Sequence, residues 1–170
     1  MRKFWIAALS ILAAVVAWTS GALAADKASQ KFVTEAIQGN LAEIAVGKLA
    51  QQKGQSDGVR SFGAQLVSDH TVANDKAMSV AQSIGVSPPS EPNKKQKTVY
   101  DRLSKLSGEN FDREFAKAMV EDHKSDIREF EKEAKKKNDP AAEFASQTLP
   151  TLRKHLEMAQ SLASGKSASR

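Results

Sequence analysis

Beyond residue 25, apolar residues recur at steps of three and four along nearly the whole chain. That spacing marks one face of a helix rather than a strand. Phe32, Val33, Ala36, Ile37, Leu41, Ile44 and Leu49 predict a first helix over 27–53. "KGQSDG" makes the turn, and Ser56 or Asp57 is placed to cap a second helix over 58–84. This helix carries Val59, Leu66, Ala73 and Val80 at sevenfold spacing, interleaved with Gly63, His70, Ala77 and Ile84. The pattern is a two-position seam that should be buried.

"GVSPPSEPNKK" interrupts the periodicity, because its prolines forbid helix and favour an extended path. A short helix over 96–106 follows, then a third main helix over 111–136 with Ala116, Met119, His123, Ile127 and Phe130 on its apolar stripe. The long connection is able to carry the chain along the bundle, so that the second and third main helices run parallel. "KKKNDP" ends the third, with Asp139–Pro140 starting the last helix over 141–162. That helix holds Phe144, Thr148, Leu152, His155, Ala159 and Leu162 inward, and Pro150 is expected to kink it. The expected fold is all-α: a four-helix bundle over 25–165, with a long crossover containing a short extra helix and a disordered tail at 166–170.

The opening residues have a different character. "MRK", the apolar run "FWIAALSILAAVVAW" and the small-residue ending "TSGALA" predict a signal peptide over 1–24, cut after Ala24. The mature protein is then periplasmic; the alternative is an uncleaved N-terminal membrane anchor. Cleavage removes Arg2 and Lys3 and lowers the net charge from +5 to +3. That charge is too small to argue for nucleic acid, and a protein exported from the cytoplasm would not meet it. "NKKQK" and "KKKND" solvate helix ends, and any association with anionic lipid would be weak. The chain has no cysteine, which excludes disulfides, thiolate ligands and a cysteine nucleophile.

The buried stripes contain an anomaly. The chain has three histidines, and His70, His123 and His155 all fall on inward positions. His70 and His123 stand near the middle of their helices, and His155 within about two turns of that height. The first helix contributes Glu43, flanked by the small residues Ala36, Gly39, Gly47 and Ala50. Each of four helices thus offers one polar group to a single interior layer. Two readings follow. Imidazole and carboxylate together suit a transition metal such as iron, manganese, copper or zinc. Alternatively the bundle is a non-catalytic structural or interaction domain, with Glu43 paired to a protonated histidine and the other imidazoles bonded to hydroxyls such as Thr148 or Thr151. Asp69 and Asp122 each precede a histidine, about 100° round the helix. They either accept a hydrogen bond from an imidazole of a neighbouring helix, orienting it, or are ordinary surface acids.

The segments "LAEIAVGKLA", "VRSFGAQLVSDHTVAND", "LSGENFDREFAKAMVEDH" and "LPTLRKHLEMA" together resemble the bacterial domain-of-unknown-function family four-one-four-two, over about residues 31–162. Glu43, Asp69, His70, His123 and His155 match its pattern. The resemblance implies an exported protein of the ferritin-like superfamily, with no established activity. The chain departs from di-iron members of that superfamily. Those carry Glu-x-x-His, whereas Val67, Val120 and Leu152 stand three residues before the histidines here. A metal would therefore sit in a histidine-rich, mononuclear site. The residues favour a binding protein over an enzyme; if it is an enzyme, it is a metal-dependent oxidoreductase. No hydrolase or phosphate-binding motif is present.

Overall fold

The computed structural model describes residues 26–165. The expected signal peptide and the C-terminal tail lie outside them. Five helices follow one another: α1 (Lys27–Lys53), α2 (Asp57–Ser83), α3 (Lys94–Ser104), α4 (Gly108–Glu133) and α5 (Pro140–Ala163). No strand occurs among the described residues. Side chains set the helix starts. Asp26 caps α1, Ser56 caps α2, Asp139 caps α5 with Pro140 in the first turn, and Asn93 and Gln96 form a reciprocal capping box on α3. The capping box starts α3 two residues before the position that periodicity predicts. α4 likewise starts at Gly108, three residues early, where a φ of 59° turns the chain out of α3. α5 runs without interruption through Pro150.

The core consists of two apolar clusters. One gathers Phe32 to Ile37 of α1, Ala77 to Ile84 of α2, Phe130 of α4 and Ala141 to Leu152 of α5. The other gathers Val46 to Ala50, Val59 to Leu66, Leu103, Phe111 to Met119 and Ala159. The order in which each helix visits the clusters gives the topology. α1 and α5 run one way, α2 and α4 the other, so α2 and α4 are parallel and the segment with α3 spans the bundle's length. Short turns pair α1 with α2 and α4 with α5, and these are the most extensive helix contacts.

α1 and α2 approach closely because two glycines meet. A Cβ built on Gly47 would lie 2.7 Å from the Gly63 carbonyl oxygen, and one on Gly63 would lie 2.7 Å from that of Gly47. Gly39 plays no such part, since its nearest neighbour would be Gln96 at 3.9 Å. At one end of the bundle Ser29 ties α1 to the α4–α5 turn. Its hydroxyl donates to Glu133 at 2.7 Å and accepts from Lys136 at 2.8 Å.

Candidate metal centre

Between the two clusters lies a polar layer. Glu43, His70, His123 and His155 occupy it, all buried, with exposures of 0–3%. One ring nitrogen from each histidine falls within 4.8 Å of one from each of the others. The imidazole centroids are 5.3–5.9 Å apart. Glu43 stands at the side of this trio, its two oxygens 3.8 Å from His70 Nε2 and 3.8 Å from His123 Nδ1. Among the described residues, the set of mutually close ligating atoms comprises the histidines alone.

Each imidazole is held by one nitrogen and bare at the other. His70 Nδ1 bonds Asn40 Oδ1 at 2.9 Å, His123 Nδ1 bonds the Met119 carbonyl at 3.0 Å, and His155 Nε2 bonds Asp69 Oδ2 at 2.9 Å. All three partners are acceptors, so the bonded nitrogens carry the protons. The remaining ones, His70 Nε2, His123 Nε2 and His155 Nδ1, are buried with no hydrogen-bond partner. A neutral imidazole anchored in this way presents a lone pair. Burial holds all three rings neutral: it lowers His70 well below the usual histidine range, His123 to about 4, and His155 as well, against the pull of Asp69.

The two aspartates that precede histidines part company. Asp69 reaches His155 across the α2–α5 contact and also accepts from Gln65 at 2.7 Å. Asp122 bonds no imidazole. Its position on α4 turns it towards α1, where it adjoins Glu43. The two carboxyls are close enough to interact, but Glu43 has no hydrogen bond of ordinary geometry. Burial, then Asp122 and Asp126, push Glu43 well above the usual carboxyl range. Burial, Asp122 and Glu129 push Asp126 to about 8. The hydroxyl of Thr148, a candidate partner for an imidazole, instead donates to the Phe144 carbonyl of its own helix at 2.8 Å. Asn40, Asn74 and Asp126 are the polar residues that periodicity alone did not single out. Each lies three or four residues from a member of the layer on the same helix face, and that spacing was the available signal.

A family model for a domain of unknown function, DUF4142, matches residues 16–162. The chain belongs to that family. No curated protein matches it. Among solved structures it is similar to the crystal structure of a DUF305 fragment from Deinococcus radiodurans, with a TM-score of 0.73. That likeness covers 83% of this chain and 98% of the fragment at 15% identity, and it establishes the helical fold alone.

Proposed function

We propose that this DUF4142 protein binds a transition-metal ion through His70, His123 and His155, with Glu43 as a fourth ligand or as charge partner. The observation that carries the reading is the trio of bare imidazole nitrogens. Three buried acceptors left without partners each cost free energy in the metal-free protein, on the order of 1–3 kcal/mol. One ion bonded to all three would offset that cost. Imidazole suits iron, copper and zinc. The pairs to Asn40, Met119 and Asp69 fix ring orientation as metal-bound histidines require.

A purely structural network fits less well. It needs a proton donor for each of three bare nitrogens: the Glu43 carboxyl, held protonated by burial, stands 3.8 Å from His70 Nε2 and carries one proton, and the Thr148 hydroxyl is committed to Phe144. The leader-like residues 1–24 support an exported protein that acts in envelope metal handling. Among the described residues, no helix is long and apolar enough to cross a membrane. Tag-free mature protein should retain or take up about one zinc or copper ion per chain by elemental analysis and calorimetry. Absence of uptake at any stoichiometry sinks the reading.

A further inference from the structure

An ion bound in the polar layer has to reach it from solvent. The three imidazoles and Glu43 are 0–3% exposed, so part of the bundle must move aside before an ion meets them. Glu43 and His123 approach to 3.8 Å across the seam between α1 and α4, and α3 packs on both of these helices. Gly39, Val46 and Lys53, seven residues apart, form the ridge of α1 that faces α3. A Cβ on Gly39 would lie 3.9 Å from Gln96 Nε2, and Val46 shares an apolar cluster with Leu103. Lys53 Nζ donates to the Ser104 and Leu106 carbonyls at 2.6 and 3.4 Å. α3 therefore runs alongside α1 from the level of Gly39 to that of Lys53. Glu43 stands between Gly39 and Val46, one helical turn from each, behind this stretch.

The cover is lightly held. Leu103 is the only buried side chain of the 11-residue α3, and a helix so short is marginal in water by itself. Its fastenings gather at one end. Lys53, Leu103 and the Arg102–Glu114 pair at 3.3 Å hold the C-terminal part. Among the described residues, no hydrogen bond or ion pair joins residues 93–101 to another helix. Lys97 pairs instead with Glu91 of the same connection at 2.8 Å, and Asn93 and Gln96 cap each other. A rival path is the α2–α5 seam, where partly exposed Asp69 reaches His155. Both apolar clusters cross that seam. Opening it parts the whole core, whereas raising α3 uncovers little beyond Leu103, and local opening follows the smaller loss of buried contacts.

We propose that α3 is a strap that gates the metal site. Its N-terminal end swings away from α1, the ion passes between α1 and α4 to Glu43 and the imidazoles, and α3 closes behind it. The inference rests on the proposed histidine site and concerns how fast that site fills, not how tightly it binds.

The test exploits a chain without cysteine. The double variant Gly39→Cys, Gln96→Cys puts one thiol on α1 and one on the N-terminal end of α3, and a short bis-maleimide joins them. Entry of excess Co2+ is followed by stopped-flow absorption. The linked protein is expected to fill about tenfold or more slowly than the same variant unlinked, and to reach the same final absorbance. Equal rates would overturn the strap and leave the histidine site standing, with entry along another seam. Cobalt bands in neither form would sink the histidine reading and the strap with it. Should the linker not close, Lys53→Ala decides. Loss of its two bonds to the end of α3 is expected to speed filling about threefold or more, and an unchanged rate overturns the strap.

Discussion

Asp69 on α2 accepts the Nε2 proton of His155 on α5 at 2.9 Å, which leaves His155 Nδ1, like His70 Nε2 and His123 Nε2, buried without a hydrogen-bond partner. The aspartate is partly solvent-exposed and the imidazole fully buried, so the pair connects the surface to the interior layer. Removing the acceptor frees the ring to rotate and to exchange tautomers. Asp69→Ala is expected to weaken metal binding by about 10- to 100-fold while the helical circular dichroism is unchanged. Calorimetry on the two proteins measures it, and equal affinities would show that Asp69 is only a surface acid.

Replacing a histidine separates the metal reading from the structural one. His123 leaves no orphan behind when removed, because its partner is the Met119 carbonyl, which the helix itself can satisfy. Leucine is of similar size and brings no polar atom. The metal-free His123→Leu protein is therefore expected to melt at the wild-type temperature or above, and to lose metal affinity by about 100-fold or more. A loss of several kcal/mol in denaturant unfolding would mean that the imidazole holds the fold together.

The titrating groups give opposite pH trends in the metal-free protein. The histidines have folded-state pKa values below the unfolded one. The unfolded chain therefore binds protons first, and stability falls as pH drops from about 6.5 towards the His123 value of about 4. Asp126 is the reverse. Its pKa is raised to about 8, so its contribution falls as pH rises from about 4 to 8. Asp126→Asn is thus expected to raise the melting temperature of the metal-free protein at pH 8.5 and to leave it nearly unchanged at pH 4. A uniform shift at both would assign the effect to packing.

The approach of α1 to α2 sets the distance between Glu43 and His70. Each glycine of the Gly47–Gly63 contact faces the other's backbone, which cannot move aside as a flexible side chain can. Gly63→Ala is expected to cost about 1–3 kcal/mol in urea unfolding, and to weaken metal binding as the helices separate. An unchanged unfolding midpoint would contradict the close contact.

Much of this arrangement was legible in the residues. Four long helices and the convergence of Glu43 with His70, His123 and His155 follow from three- and four-residue periodicity, because burial and helix phase are both encoded there, and the parallel pair follows from the length of the proline-rich connection. Helix ends were less legible, since the capping box of Asn93 with Gln96 starts α3 where no apolar residue announces it. The partners of the layer were harder still. Whether Asp69 or Asp122 meets an imidazole depends on which helix lies alongside, and one sequence does not say that α5 adjoins Asp69 while α1 adjoins Asp122. Asn40, Asn74 and Asp126 read as ordinary polar residues until the helices are placed side by side.

Cobalt absorption tests the central claim most directly, because Co2+ held by imidazoles in a protein gives visible bands that depend on its ligands. Wild-type mature protein is predicted to develop those bands to saturation at about one Co2+ per chain, and the His70→Ala, His123→Ala double variant to stay colourless at the same concentrations. Identical, unsaturating spectra from the two proteins would contradict a metal centre among the three histidines.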